Sequence, residues 1–160
     1  MKKILIQTLI ISLFLISFNA TAEIKHIKDG NVDAKVKLVV FESLTCSHCG
    51  DFHRDIYPKL KTDFIDKNLI SIEYRNFPLD IAAFNAAKIA HCRNDGKSEI
   101  LHHLYNNQSS WIKGSTIEDL NKNLKKVVQE SVFKLDFDKC IADSKIEDFI
   151  LEDRIDGAKN

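Results

Sequence analysis

The stretch FESLTCSHCGDFH, from Phe41 to His53, contains two cysteines separated by two residues, Cys46 and Cys49, with His48 between them. Two thiols at this spacing can cycle between a dithiol and a disulfide, supply two ligands of a zinc site, or form a structural cross-link. The thiolate is the form of cysteine that attacks a disulfide. The position of the pair relative to strands and helices therefore decides which chemistry it can perform.

The cysteine pair lies where a predicted strand passes into a predicted helix. The run VKLVVFES, Val36 to Ser43, is apolar and β-branched and predicts a buried central strand. After Thr45, apolar residues recur every four positions, which predicts a helix that Pro58 should kink or divide. LISIEYRNF, Leu69 to Phe77, alternates in polarity and predicts a second strand, and the long crossover favours a parallel pair.

Helices are expected in the rest of the chain, and a short edge strand in AEIKHIKDGN ahead of the first strand. Asp80 is expected to cap the helix IAAFNAAKIAHCRND, which Gly96 closes. Ser115 and Glu118 form a capping box before another apolar stripe. SEILHHLYNN and SKIEDFILEDRI predict further helices. The predicted fold class is therefore α/β, a βαβ unit followed by an α-helical region.

Cys46 should lie at the start of the first helix, where backbone N–H groups lack helical partners and the dipole's positive end points outward. A thiolate is stabilised there relative to the thiol, so Cys46 is predicted to be the nucleophile. Cys49, one turn later on the same face, can close a ring onto Cys46 and release a bound substrate. A protonated His48 would add a positive charge near the sulfur. Stabilising the thiolate stabilises the dithiol, which makes the disulfide a stronger oxidant.

Two alternatives compete with redox chemistry at the pair. A zinc site could use Cys46, Cys49 and His53, with His91 or another residue as the fourth ligand, but the sequence contains no second CxxC or HxxxH motif, so no metal is expected. A structural disulfide between Cys46 and Cys49 would close a very small loop and stabilise the fold little. His53 is expected to be an ordinary surface or packing histidine, and His102 and His103 are expected to lie on a solvated face of a helix.

The N-terminal 22 residues predict a signal peptide. Lys2 and Lys3 precede an apolar run from Ile4 to Phe18, and Ala20 and Ala22 match the small residues of a cleavage site, so cleavage is expected after Ala22. Removing two lysines from 23 basic side chains leaves 21 against 23 acidic ones, a net charge of −2. Such a charge does not indicate a nucleic-acid partner. All four cysteines would enter an oxidising compartment.

These motifs resemble the bacterial DsbA-like thiol:disulfide oxidoreductases of the thioredoxin superfamily. SLTCSHCGDFH, RNFPLD and AAKIAHC look like consecutive signature segments of that family, and QSSW and FDKC like later, weaker ones. The resemblance extends from about Val32 to the end of the chain. It implies a thioredoxin fold interrupted by a helical insertion. It also implies that Cys46 is the attacking thiol, Cys49 the buried partner and His48 the residue that tunes them.

The resemblance further implies a domain organisation and a cellular role. The expected divisions are a signal peptide at 1–22, the N-terminal part of a thioredoxin-like domain at 23–79 and a helical domain at 80–160. Cys92 and Cys140 correspond to cysteines that form a second disulfide in some members, and an exported chain favours this disulfide over two free thiols. The implied function is disulfide formation or exchange in cysteine-containing exported proteins of the periplasm, without a cofactor. A membrane redox partner would reoxidise the enzyme.

Three features depart from the family's pattern. Ser47 stands where proline often follows the first cysteine, and Val40 stands where many members carry a buried acid. The family continues into a threonine–cis-proline segment and further strands, whereas this sequence has only Pro58 and Pro78. We therefore expect the C-terminal strands to be missing, the strand Val36 to Phe41 to lie at a sheet edge, and the chain to be part of a longer enzyme. An inactive thioredoxin-like remnant or binding module is the main alternative, followed by a metal-binding module.

Overall fold

The computed structural model describes residues 23–159, so the predicted signal peptide lies outside the described residues. The described strands are β1 (Ile27–Gly30), β2 (Val36–Glu42) and β3 (Ile70–Asn76). Four consecutive segments form the first helix, α1: Ser47–Asp51, Phe52–Ile56, Tyr57–Leu60 and Lys61–Ile65. The remaining helices are α2 (Ile81–His91), α3 (Glu99–Asn106), α4 (Gln108–Trp111), α5 (Ile117–Gln129), α6 (Phe137–Ala142) and α7 (Ser144–Gly157). No helix of residues 23–159 combines the length and the apolar character that crossing a bilayer requires.

The three strands form one sheet in the order β1-β3-β2. β2 runs parallel to β3, with Val36 opposite Ile70 and Glu42 opposite Asn76, and α1 makes the crossover between them. β1 pairs antiparallel with the other edge of β3. The predicted βαβ unit and the short edge strand ahead of it are therefore confirmed. The fold is the mixed α/β arrangement expected of a thioredoxin-like unit with a helical insertion.

β2 is an edge strand within the described residues, not the buried central strand that its composition predicts. Val36, Leu38 and Val39 are exposed. Only the end of the strand turns inward: Val40 packs against the core and Glu42 is buried. The apolar, β-branched composition correctly indicated a strand, but burial depends on how many neighbours the strand has, which composition does not report.

Helix α1 accommodates a proline by widening its turns. Pro58 lacks a backbone N–H and would collide with the carbonyl four residues back in a regular α-helix. The segments Phe52–Ile56 and Lys61–Ile65 on either side of it are π-helical, and the Tyr57 N–H bonds to the Phe52 carbonyl five residues earlier. The sequence predicts that Pro58 kinks or divides the helix; α1 continues through it, and the proline changes the hydrogen bonding on either side instead of dividing the helix.

The helical half of the chain begins as predicted, although two helix ends differ from expectation. Asp80 caps α2 and accepts a backbone N–H from its first turn at 2.8 Å. α2 ends before Gly96, which lies in the following loop with φ +75°. Thr116, rather than Ser115, caps α5 and accepts a backbone N–H at 3.2 Å. The capping box predicted for Ser115 and Glu118 is therefore wrong by one residue.

The core lies between the sheet and the helices, with α2 at its centre. α2 contacts α3, α5, α6 and α7, and its Ala86 and Ile89 have no exposed surface. Leu104, Tyr105 and Trp111 are also fully buried, and each large apolar side chain contributes about 2–3 kcal/mol by leaving water. This core holds α3 and α4 against the start of α1, where the cysteine pair lies.

A buried carboxylate fixes α7 to the end of β3. Asp153 on α7 accepts the backbone N–H of Asn76 at 3.0 Å and its side-chain amide at 2.7 Å. Arg75 donates to the same carboxylate at 3.1 Å. These bonds satisfy a charge that would be costly to bury alone, and they hold the carboxyl end of β3 next to that of β2.

Candidate active site

The two cysteines lie at the junction between β2 and α1, as the sequence predicts. Cys46 is the N-cap of α1, with φ −72° and ψ 120°, and its Sγ accepts the Cys49 N–H at 3.4 Å. Its own N–H bonds to the Ser43 carbonyl, and its carbonyl accepts the Gly50 N–H. Both thiols are free and half-buried. The backbone therefore presents an N–H donor to the sulfur on which a negative charge would form.

The second thiol of the pair is held in its neutral form. Burial raises the pKa of Cys49 to about 11, the nearby Cys46 and Glu42 add to this increase, and a hydrogen bond with the backbone of Ser43 offsets part of it. Cys49 is therefore a protonated thiol at neutral pH. This protonation state suits a resolving cysteine, which must take up a proton each time it leaves a disulfide.

Gln108 fixes the loop that carries Cys46. Its side-chain amide donates to the carbonyls of Leu44 and Cys46, both at 2.9 Å, and the side chain is buried. Gly50 faces Gln108 so closely that a Cβ at this position would collide with its side chain. QSSW contributes to the family resemblance, but nothing in the sequence indicates that its glutamine reaches the cysteine loop.

Glu42 supplies a buried acid beside the cysteine pair that the sequence analysis missed. Burial raises its pKa to about 8, against smaller lowering effects of His102 and Tyr105. The carboxyl is therefore mostly protonated at neutral pH. The family resemblance predicts a buried acid at the position of Val40, where this sequence has none. Because side chains two positions apart share a face of a strand, Glu42 lies on the same face as Val40 and nearer to Cys46.

His48 lies at the surface of the junction. Its side chain is 94% exposed, and its Nδ1 is 3.8 Å from the Asp51 carboxylate one turn later. Asp51 also pairs with Arg54. A positive charge on His48 would thus be shared between solvent and this carboxylate. The role of His48 in tuning the Cys46 sulfur stays a prediction.

His53 occupies the packing position that was one of its two expected positions, whereas the solvated face expected for His102 is wrong. His53 is not a surface side chain: its Nε2 lies 2.8 Å from Glu42 Oε2, its Nδ1 lies 2.9 Å from His102 Nδ1, and its ring stacks on Tyr105. His102 is not on a freely solvated face, because its Nε2 lies 3.0 Å from Asp29 Oδ2. Burial lowers the pKa of His53 to about 3, so its ring is neutral at neutral pH.

The side chains considered for a zinc site do not converge. Both ring nitrogens of His53 are engaged by Glu42 and His102, and His91 lies 3.0 Å from the Asn76 side-chain amide. In residues 23–159, no group of three or more His, Cys, Asp and Glu side chains is arranged to hold a metal ion.

Cys92 and Cys140 form a disulfide in the helical half, with their Cα atoms 5.3 Å apart. Cys92 follows the last residue of α2, and Cys140 lies in α6, fully buried. The bond joins residues 48 positions apart and cross-links the central helix to the later helices. It leaves Cys46 and Cys49 as the free cysteines of the described chain.

An open polar cleft lies beside Cys46. Its walls come from the start of α1 and from α4: Thr45, Ser47, Arg54, Gln108, Ser109 and Ile112 line it. Thr45 and Ser47 flank Cys46 in sequence, so a polypeptide in this cleft would pass close to the sulfur. The mixture of hydroxyl, amide and guanidinium groups suits contacts with a peptide backbone of varied sequence.

Comparisons with known proteins agree with this geometry. A family model described as thioredoxin matches residues 23–160. A Rickettsia bellii relative that carries the name of a protein-disulfide oxidoreductase is 30% identical over 124 residues, which are 76% of this chain and 47% of the relative. Disulfide bond formation protein D of Bacillus subtilis is 28% identical over 127 residues, 74% of this chain and 57% of that protein.

Solved structures extend the comparison to the fold. The crystal structure of Wolbachia pipientis alpha-DsbA1 matches with a TM-score of 0.75 and 31% sequence identity, covering 84% of this chain and 68% of that one. BdbD from Bacillus subtilis, in its oxidised form, matches with a TM-score of 0.62 at 20% identity and supports the fold alone. The chain spans about half the length of the curated relatives it matches.

Proposed function

The chain belongs to the DsbA-like branch of the thioredoxin superfamily, and on this premise we propose that it exchanges disulfides with cysteine-containing proteins through Cys46 and Cys49. The observation that carries the proposal is the asymmetry of the pair. Cys46 caps a helix and accepts a backbone N–H, whereas Cys49 is held as a neutral thiol by burial. One sulfur is thus arranged to be attacked and to leave as an anion, and the other to be protonated.

The proposed reaction has two thiol exchanges. A substrate thiolate attacks Cys46 Sγ of the oxidised pair, the Cys46–Cys49 bond breaks, and Cys49 leaves as a thiolate that takes up a proton. A second substrate thiolate then attacks the substrate sulfur of the mixed disulfide and releases Cys46 as a thiolate. The substrate loses two electrons and gains a disulfide, and the enzyme gains the two electrons as a dithiol. Glu42 is the nearby acid that can give Cys49 its proton.

Location and partners complete the proposal. The predicted signal peptide at 1–22 would deliver the chain to the periplasm, where substrates are exported proteins and a membrane redox partner restores the disulfide. N-terminal sequencing of protein from the periplasmic fraction should find Glu23 as the first residue. A start at Met1, or recovery only from the cytoplasm, would contradict this location.

A Cys49→Ser variant provides the test of the reaction. Without a resolving thiol, the mixed disulfide at Cys46 should accumulate, and non-reducing gels with mass spectrometry should find substrate proteins attached to Cys46. Cys46→Ser is the matched control and should capture none. If the Cys49→Ser variant, when folded, captures no thiol-containing partner, the proposed function is wrong.

A second candidate, a thioredoxin-like binding module without catalysis, is favoured by the exposed apolar side chains of β2. Val36, Leu38 and Val39 are exposed on a strand that is paired on one side within the described residues. Such an edge can bind another strand. A binding module would retain its partner when Cys46 and Cys49 are both replaced by serine, whereas partners captured by thiol exchange would be lost.

A further inference from the structure

Hydrogen bonds connect four ionisable side chains from four different elements. The chain runs from Glu42 on β2 through His53 on α1 and His102 on α3 to Asp29 on β1, with distances of 2.8, 2.9 and 3.0 Å. No two of the four are close in sequence except Glu42 and His53. The tertiary fold therefore builds this array, which the reaction at the cysteines does not by itself require.

Burial differs between the two ends of the array. The side chains of Glu42 and His53 are 5% and 0% exposed, whereas those of His102 and Asp29 are 17% and 16% exposed. One end therefore lies in the interior beside the cysteines, and the other end reaches solvent. Glu42 Oε1 is buried and has no hydrogen-bond partner among the described residues.

Asp29 anchors the outer end as an anion. Its carboxylate accepts from the hydroxyls of Tyr57 and Tyr74, both at 2.9 Å, from Ser98 at 2.5 Å, and from His102. Although burial acts to raise it, these hydrogen bonds bring the pKa of Asp29 down to about 2. Because a carboxylate has only acceptors, His102 Nε2 must carry a proton.

Because burial keeps His53 from carrying two protons, donor and acceptor counting leaves two consistent proton arrangements. In the first, His102 is neutral, its Nδ1 accepts from His53 Nδ1, and His53 Nε2 accepts from a protonated Glu42. In the second, His102 is an imidazolium that donates from Nδ1, and His53 donates from Nε2 to a carboxylate on Glu42. Shifting two protons, each along one hydrogen bond, converts one arrangement into the other.

We propose that His53 and His102 form a proton relay that connects Glu42 with solvent and restores the proton that Glu42 gives to Cys49 in each redox cycle. The proposal rests on the proposed disulfide exchange. Glu42 gives a proton to the Cys49 thiolate and becomes a carboxylate. The array is then one proton short. His102 takes up one proton from solvent and His53 changes from its Nδ1–H to its Nε2–H tautomer, which gives the second arrangement. The proton on His53 Nε2 then moves to Glu42 and the proton on Nδ1 of the His102 imidazolium moves to His53 Nδ1, which restores the first arrangement. Oxidation of the dithiol runs the same transfers in reverse.

The groups that face the relay support this direction of transfer. Asp29 accepts the hydrogen bond from His102 Nε2, and burial keeps Tyr57 and Tyr74 protonated by raising the pKa of both. Burial also raises the pKa of Tyr105, which lies beside Glu42, so this tyrosine does not compete as an anion. The groups that face Glu42 and the two histidines are Cys46, Cys49 and Tyr57 from α1, Tyr105 from α3, Tyr74 from β3, Asp29 from β1, and Ser98.

A His102→Gln variant tests the relay, because glutamine can keep a hydrogen bond but cannot pass a proton. We expect reduction of the Cys46–Cys49 disulfide by dithiothreitol, measured by Trp111 fluorescence, to slow by about tenfold or more near neutral pH. The pH dependence of this reduction rate should also lose the step that marks the ionisation of Glu42. The matched control is His103→Gln on the same helix, which lies outside the array and should change neither. If the ratio of the variant's reduction rate to the wild-type rate is the same at every pH, His102 has a structural role and the proposed relay is wrong.

¹⁵N NMR spectra of the histidine side chains provide a second test. This test uses the wild-type protein, so it does not depend on whether a variant folds. As Glu42 ionises near pH 8, the His53 proton should move from Nδ1 to Nε2. The ¹⁵N chemical shift of Nδ1 should then become that of an unprotonated ring nitrogen, and the shift of Nε2 that of a protonated one. Shifts of His53 that stay fixed between about pH 6 and about pH 9 would overturn the relay. Failure of the proposed function would give a different result, because the Cys49→Ser protein would then capture no thiol partner at Cys46.

Discussion

The side-chain amide of Gln108 donates to the carbonyl oxygen of Cys46, 62 positions away along the chain, at 2.9 Å. The same amide holds the carbonyl of Leu44, so one buried side chain spans the turn between β2 and α1. A residue of the helical half thus fixes the backbone position of Cys46, the proposed nucleophile. This contact makes the two parts of the molecule depend on each other for reactivity.

Replacing Gln108 by alanine should destabilise the fold and loosen the cysteine loop. The change leaves the buried Leu44 carbonyl without a donor and the Cys46 carbonyl with the Gly50 N–H alone, which costs about 1–3 kcal/mol in the free energy of unfolding. Urea unfolding should show this loss, and alkylation of Cys46 should change in rate. Ser109→Ala, an exposed position of the same helix, should stay within about 0.5 kcal/mol of wild type. Equal stabilities of the two variants would show that Gln108 does not hold the loop.

The two cysteines should differ strongly in reactivity towards iodoacetamide. A thiol with a pKa of about 11, as burial gives Cys49, is ionised to only about one part in ten thousand at neutral pH. Mass spectrometry of the reduced Cys46→Ser variant should therefore find Cys49 alkylated at least about a hundredfold more slowly than glutathione. In the same assay, the Cys49→Ser variant gives the alkylation rate of Cys46. Alkylation of Cys49 at the rate of glutathione would contradict the assigned proton state.

The parts of the site that the sequence predicted are those fixed by local pattern. The sequence changes from a β-branched apolar run to apolar residues at every fourth position. This change predicted that Cys46 and Cys49 lie at a strand–helix junction. Glu42 could have been predicted as well, because it shares a strand face with Val40, but it was not recognised. His53 and His102 are 49 positions apart, and only the packing of α3 on α1 brings their rings together. No local spacing encodes such a contact.

The disulfide between Cys92 and Cys140 should stabilise the fold without setting the reactivity of the cysteine pair. It closes a loop across 48 positions, and removing a bond of that span costs about 4 kcal/mol in the chain-entropy account. A Cys92→Ala/Cys140→Ala variant should unfold at a lower urea concentration. Its Cys46–Cys49 disulfide should still be reduced by dithiothreitol at the rate of wild type under native conditions. A large change in that rate would show that the disulfide also shapes the site.

Stability should decline between about pH 6.5 and about pH 8 because Glu42 is buried. Burial raises the pKa of Glu42 from 4.5 to about 8, so in this window the folded state binds a proton that the unfolded state has released. The free energy of unfolding therefore falls as the pH rises, by about 2 kcal/mol over the window. Below it, His53 and His91 act in the opposite sense, because burial lowers the pKa of each and the unfolded state takes up protons first. The stability maximum should thus lie near pH 6.5.

A Glu42→Gln variant isolates this effect, because the amide keeps the shape of the side chain and cannot ionise. Urea unfolding at a series of pH values should give a stability that is nearly flat between about pH 6.5 and about pH 8, whereas wild type declines. The rise on the acid side should remain in both proteins, since His91 lies outside the Glu42 array. Parallel curves for the two proteins through this window would mean that Glu42 ionises normally, and the acid assigned to Cys49 would have to be sought elsewhere.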